Sequence, residues 1–186
     1  GVLAIILTIM VLELQPPHNV SLRALITILP VFFSYVLSFV YVGIYWNNHH
    51  HLIQTANQVN APILWANLHL LFWLSLIPFA TGWMGEHHKA GVPAALYGLV
   101  LLMAAIAYAI LQYGIIKTEG DGSVLSQAVG TDIKGKLSIV LYAAGIALSF
   151  LRPWMGQVLY LAVALMWLLP DGRIEKKLVE EGVEAE

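Results

Sequence analysis

The side chains able to do chemistry in this 186-residue chain are few, and they gather in three places. The first is the opening segment, GVLAIILTIMVLEL, where Thr8 and Glu13 are the only polar side chains. At 100° per residue of helix, Gly1, Ile5, Thr8 and Leu12 fall within about 60° of one another. Such a stripe sets one hydroxyl oxygen between apolar side chains, an order that a lipid-facing helix does not need. The same stripe is also compatible with plain packing at Ile5 and a Thr8 hydroxyl bonded to a carbonyl of its own preceding turn. The second place is His49-His50-His51, following Trp46-Asn47-Asn48, and the third is His87-His88, with His69 alone between them. Membrane di-iron enzymes carry histidines near helix ends, but in boxes of the HxxxH or HxxHH kind that bring enough imidazoles onto two irons. No two histidines here are spaced i, i+4. Consecutive histidines point to different sides of a helix, so two of the three are expected to serve as hydrogen-bond partners at a helix end, with no metal site.

Other chemistries are excluded more directly. There is no cysteine, which removes thiol catalysis, disulfides and iron–sulfur ligation, and no GxSxG nucleophile turn. Glu13, Glu86, Glu119, Asp121, Asp132 and the acidic residues of the tail all fall at predicted helix ends or loops. No carboxylate therefore sits mid-span, where proton-coupled carriers place one, and no lysine or arginine forms a voltage-sensor pattern. The potassium-filter sequence TVGYG is absent as well.

The elements that must position these residues follow from composition. Hydrophobic residues make up 59% of the chain and charged ones 11%, and the mean hydropathy is +0.77. Soluble domains carry about a quarter charged residues, so this composition marks an all-α integral membrane protein. A net charge of −2 gives no basic field for nucleic acid. The length fits six spans with short connections. The first span, to Leu14, covers roughly 21 Å at 1.5 Å per residue, less than the hydrocarbon core of about 30 Å, and is expected to begin upstream of Gly1. A signal peptide is disfavoured: there is no positive flank, and Glu13-Leu14-Gln15-Pro16 is no small-x-small cleavage site.

After Pro16-Pro17, Asn19 or Ser21 can cap a second helix to about Tyr45, with a kink expected from Pro30 near Ile26. Residues 54–62 read as a polar loop and Trp65 to Phe79 as a third span containing Asn67, His69 and Ser75, bent by Pro78. The fourth, Ala94 to about Tyr113, is plain Leu, Ala, Ile and Tyr, and reads as a lipid-facing scaffold. Lys117 to Lys136 is the longest polar connection, with a turn cluster at Glu119-Gly120-Asp121-Gly122. Leu137–Leu151 and Trp154–Leu169, split by Arg152-Pro153, predict a tight antiparallel hairpin. Residues 1–170 thus form one transmembrane domain, and 171–186 a charged tail expected to be a short surface helix.

Charge gives an orientation. With the first helix running outward, Lys117, Lys134, Lys136, Arg173, Lys176 and Lys177 lie inside and Arg23, Lys89 and Arg152 outside. That distribution favours both termini in the cytoplasm. Five spans would also fit if the last hairpin were re-entrant.

Three stretches carry a resemblance. GVLAIILTIMVLEL followed by QPP, then FSYVLSFVYVGIYWNNHHHL, then LHLLFWLSLIPFATGWMGEH resemble the prokaryotic branch of the transmembrane protein 175 potassium channels. The Trp-x-Asn-His-His signature is met by Trp46, Asn48, His49 and His50. The family's Arg-x-x-x-Phe-Ser-Asp motif belongs immediately before Gly1 and is not in this chain. The resemblance implies six helices per subunit and a homotetramer in the plasma membrane of a prokaryote, whose first helices line a central potassium pathway without a carbonyl filter. It implies a hydrophobic constriction at Ile5, a pore-facing hydroxyl layer at Thr8 and a further apolar layer at Leu12. Trp46, Asn48, His49 and His50 would then brace the base of the first helix through hydrogen bonds to the motif's Ser-Asp. No cofactor is implied beyond the permeating K+, and no enzymatic activity.

The competing reading is an ion-coupled secondary transporter with bends at Pro30 and Pro78 as rocking elements. Such carriers place broken helices at matching positions of two repeats, and no internal repeat is visible here. A histidine-dependent membrane metalloenzyme is the third reading.

Overall fold

The structure is a computed structural model that describes residues 1–17, 20–120, 122–130 and 132–168. The tail at 171–186, with Arg173, Lys176 and Lys177, the Asn19 cap and Asp121 of the turn cluster lie outside those residues. The described chain is helical: α1 (Val2–Met10), continued by a 3-10 turn (Val11–Glu13), α2 (Leu22–Gln54), α3 (Ala61–Ser75), α4 (Ile77–Glu86), α5 (Gly91–Glu119), α6 (Val124–Val129), α7 (Ile133–Leu151) and α8 (Pro153–Leu168). Four helical stretches are long and apolar enough to cross a membrane, namely α2, α3 with α4, α5 and α7. Val2–Glu13 and α8 are shorter apolar helices.

Local chemistry sets the ends. Ser21 caps α2, its hydroxyl accepting from the Ala24 amide at 3.2 Å, and Asn60 caps α3 through the Ile63 amide at 3.0 Å. Asp132 opens α7 from a left-handed conformation (φ 41°) that aspartate tolerates better than most residues, its carboxylate accepting from the Gly135 amide at 3.1 Å. Pro30 lies inside α2 without ending it. Pro78 has a larger effect, because it lacks the N–H that would reach the Leu74 carbonyl. The third span accordingly breaks at Leu76, and Pro78 sits in the first turn of α4.

Several boundaries differ from the sequence expectation. Helix α2 runs to Gln54, not Tyr45, so His49–His51 occupy its last turns. Helix α3 starts at Ala61, and the polar connection after α5 contains α6. The larger correction concerns the fourth span. Helix α5 is no lipid-facing scaffold: it packs against α3, α4, α7 and α8, and half of its most apolar stretch is buried. Its alanines and glycines allow that close approach, because without a hydrophobic drive between helices in lipid, small side chains are what bring backbones together.

Tyr160 of α8 shows how close. A Cβ on Gly98 of α5 would lie 2.0 Å from the Tyr160 hydroxyl, and one on Gly145 of α7 would lie 2.5 Å from its ring. The ring fills the space those two glycines leave, and the Tyr41 hydroxyl of α2 donates to the Tyr160 carbonyl. A second buried set ties α2, α4 and α5: Ser38 and Tyr97 share a hydrogen bond of 2.8 Å, while Thr81 lies 2.7 Å from Ser38 and donates to the Ile77 carbonyl at 2.6 Å. Hydroxyls away from water need such partners.

The two ends of the bundle are chemically distinct. Gln157 donates to the His88 carbonyl, Gly91 packs on Ser149, and Gly85 packs on Val31, which puts Lys89, Arg152 and the start of α2 at one end. Tyr108 of α5 donates to the Asn48 carbonyl of α2, and the Glu119 carboxylate takes the Asn57 and Gln58 amides at 2.8 and 3.0 Å, so Lys117 and His49–His51 share the other.

Candidate functional site

Helix α1 stands at the side of the bundle, packed on α2, α3 and α4. Leu3, Ile6 and Met10 are buried against them, and these three lie about 180° around the helix from the Ile5–Thr8–Leu12 stripe. The stripe itself faces away from the subunit: Ile5 is 58% exposed, Leu12 71%, and Thr8 is exposed between them. Leu12 belongs to the 3-10 turn, because the α-helix stops at Met10.

The Thr8 hydroxyl donates to the Ile5 carbonyl at 2.8 Å. The bond reaches three residues back, as threonine in an apolar helix commonly does. It fixes the rotamer and uses up the hydroxyl proton. The oxygen lone pairs remain, so the outward-facing atom is an acceptor only.

At the far end of the first segment, Glu13 turns back toward the bundle. Its carboxylate lies against Gly82 of α4, where an added Cβ would come within 2.1 Å of Oε2. A side chain at position 82 would require the Glu13 carboxylate to move aside.

At the base, the four residues of the expected brace do not form one cluster. Trp46 and His50, one turn apart, stack with ring centroids 6.0 Å apart and planes 9° off parallel. His49 turns to α3 and donates through Nε2 to the Asn67 side-chain oxygen at 2.7 Å. Asn48 lies on another side of α2, where its amide donates to the Ile44 carbonyl at 2.9 Å and its own carbonyl accepts from Tyr108 at 3.3 Å. The Nδ1 of His51 is buried without a partner among the described residues. His69 pairs within α3, accepting from Trp73 Nε1 at 3.0 Å. His87 and His88 are at the opposite end of the bundle, since Gly85 packs on Val31, 18 residues or roughly 27 Å of helix before His49. Among the described residues no three His, Asp or Glu side chains come together as a metal set would require.

Sequence reasoning gave no role to Asn67, Gly82 or Glu13. Asn67 carries a signal, as an amide in an otherwise apolar span. Glu13 and Gly82 carry none, because a glycine and a glutamate 69 residues apart meet only through tertiary packing.

Comparison with known proteins adds a separate line. Residues 1–78, which contain every residue of the stripe and the base, match the family described as endosomal/lysosomal potassium channel TMEM175. A potassium channel of Chryseobacterium sp. (strain P1-3) is 57% identical over 180 residues, covering 97% of this chain and 94% of that one. A potassium channel of Chamaesiphon minutus is 25% identical over 183 residues, covering 91% and 89%. Among solved structures, the crystal structure of a lysosomal potassium-selective channel TMEM175 homolog from Chamaesiphon minutus superposes with a TM-score of 0.81 over 92% of this chain and 93% of that chain, at 24% identity.

Proposed function

Since the chain belongs to the TMEM175 family of potassium channels, we propose that it forms a homotetrameric, potassium-selective pore lined by its first helices, with six membrane passes per subunit. The family membership makes it a channel and not an enzyme, and with K+ as the permeating species no cofactor is called for. The finer assignments are our reading. Residues 1–170 make the channel domain and 171–186 a cytoplasmic tail. Both termini face the cytoplasm of a prokaryote, in its plasma membrane. Ile5 is the hydrophobic constriction, Thr8 the oxygen layer and Leu12 a further apolar layer.

One observation carries this reading: the face of α1 that holds Ile5 and Thr8, with Leu12 in the 3-10 turn beyond, is left uncovered by its own subunit. Four copies meeting on an axis would turn those faces toward one another. A ring of isoleucines makes a neck that excludes water, and a hydrated cation loses several kcal/mol on entering it. The Thr8 oxygen, with its proton committed to the Ile5 carbonyl, presents lone pairs to an ion. Potassium gives up hydration water more readily than sodium, so a weak ring of four such oxygens favours it modestly.

At the base, Trp46, Asn48, His49 and His50 serve as a structural support in three directions. The Trp46–His50 stack is exposed toward whatever packs beside α2, His49 anchors α2 to α3, and the Asn48 side chain ties back to Ile44 while its backbone carbonyl accepts from Tyr108 of α5.

Purified protein in a planar bilayer tests the whole. Discrete single-channel steps with a reversal potential nearer potassium than sodium, from a species that cross-links as a tetramer in mild detergent, are the expected result. A monomer that retains cation flux would sink the pore reading while leaving the family membership intact.

A further inference from the structure

Helix α1 packs on α2, α3 and α4, whereas α8 packs on α2, α5 and α7, and between α2 and α8 runs an open groove of about 600 Å³. It extends from Pro30 to Val40 on α2 and from Trp154 to Leu168 on α8, and Met84 of α4 joins its wall. Those stretches of helix rise roughly 15–21 Å, against about 15 Å for half of the hydrocarbon core. The groove is therefore as deep as one leaflet. Its lining is apolar apart from Ser34, His88 and Gln157. His88 and Gln157 stand together at one end, where Gln157 Nε2 donates to the His88 carbonyl at 3.2 Å.

Two bases border that polar end. Lys89 directly follows His88, and Arg152 comes two residues before Trp154. Gly91 packs on Ser149, which brings their two chain segments together. Both side chains are exposed, and neither has an ion pair or hydrogen bond among the described residues. The third base of this end, Arg23, instead lines a hollow with Gln15, Pro16 and Pro17. Of the carboxylates described here, Glu13 rests against Gly82, and Glu86 is exposed and pairs with neither base. An exposed lysine or arginine alone is only a solvated charge. These two stand at the mouth of a leaflet-deep apolar slot, with the half-exposed Trp154 between them and its lining, where interfacial aromatics belong.

We propose that the α2–α8 groove holds an acyl chain of an anionic phospholipid, of the phosphatidylglycerol class, whose phosphate pairs with Lys89 and Arg152. A polar end on a long apolar bed is the division of an amphiphile lying along the membrane normal. The polar end decides its sign. Lysine and arginine clustered beside spanning helices attract anionic headgroups, and a guanidinium pairs with phosphate oxygens through two N–H groups. A helix of a second copy of the chain would fill the apolar length and leave both cations unpaired. The site does not depend on the pore reading, because binding is measured without ion flux.

In the experiment the full chain, purified in mild detergent, is titrated with phosphatidylglycerol or with phosphatidylcholine of the same acyl chains, and bound lipid is counted by native mass spectrometry. One phosphatidylglycerol per subunit should saturate the site, with a preference over phosphatidylcholine of about 25-fold, about fivefold from each base. Lys89→Gln and Arg152→Gln should each lower that preference about fivefold, and the double variant should abolish it while phosphatidylcholine still binds. The contrast between the two lipids separates a lost charge from a disturbed fold. Val158→Trp, on the exposed lining of the groove, should weaken both lipids, and the charge variants stand as a test even if it does not fold. Absence of saturable binding, equal affinity for the two lipids, a preference that survives the double variant, or a helix of a second subunit seen in the groove by electron microscopy would each overturn the proposal.

Discussion

Helices α1 and α5 are written in nearly the same alphabet of aliphatic residues, yet they have opposite surroundings. Helix α1 buries only Leu3, Ile6 and Met10 and leaves Ile5 and Ile9 uncovered, as is Leu12 in the 3-10 turn that follows. Helix α5, the plainest stretch of the chain, is clasped by four neighbours. The difference lies partly in the small side chains that α5 intersperses among its large ones. Where α5 meets its partners, Ala94, Ala95, Gly98, Ala104 and Ala107 alternate with Tyr97, Leu101, Leu111 and Ile115, and over Gly98 the bulk comes from the other side, as Tyr160. Where α1 is uncovered it offers branched side chains and one hydroxyl. In a membrane, apolar character says only that a surface avoids water, and small residues mark where helix backbones approach closely.

Substitutions can break or sharpen this contrast. Gly98→Val should have the largest effect, because its side chain enters the space of the Tyr160 hydroxyl and of Ile146. Overpacking of this kind costs about 3 kcal/mol or more, read as a collapse of folded yield and melting temperature. If Gly98→Val is tolerated, α5 is not the packed centre described above. Tyr97→Phe removes the partner of Ser38 and should cost about 1–2 kcal/mol in thermal unfolding. An unchanged melting temperature would mean that the Ser38–Thr81 pair satisfies itself.

On α1 the same scale of change should touch conduction and spare the fold. Ile5→Asn should leave melting and assembly as they are and raise basal cation flux in liposomes about tenfold, a barrier change of about 1.4 kcal/mol. Lost or unchanged flux in a well-folded tetramer would move the constriction elsewhere. The smallest effect is expected of Thr8→Val, which keeps shape and branching and removes the oxygen. It should bring the potassium and sodium permeabilities together by less than tenfold, measured as reversal potential under bi-ionic conditions. A potential that does not move would reduce Thr8 to its bond with the Ile5 carbonyl.

The stripe on α1 was legible because its signal is local: a period of 3.6 and one hydroxyl suffice to place Ile5, Thr8 and Leu12 together. The Arg152-Pro153 hairpin was legible for the same kind of reason, and α8 does begin at Pro153 and pack on α7. The burial of α5 was not, since a run of Leu and Ala looks alike to lipid and to protein. The brace was read as one cluster because its residues are adjacent in sequence. Adjacent residues of a helix diverge by 100°, and the structure sends the Asn48 side chain to the Ile44 carbonyl of its own helix, His49 to α3 and Trp46 to His50. The end of α2 was set too early because asparagine and histidine look like loop residues, although the helix simply continues past the apolar core to Gln54.

The seat of Glu13 against Gly82 has a consequence for how α1 can turn. Ile5 and Ile6 are separated by 100° of azimuth, so a swivel of that size would exchange an uncovered side chain for a buried one. Met10 is fully buried in the bundle, and one turn beyond it the Glu13 carboxylate rests on bare α4 backbone. Turning α1 by that angle would therefore lift Met10 out of its buried seat and withdraw the Glu13 carboxylate from Gly82.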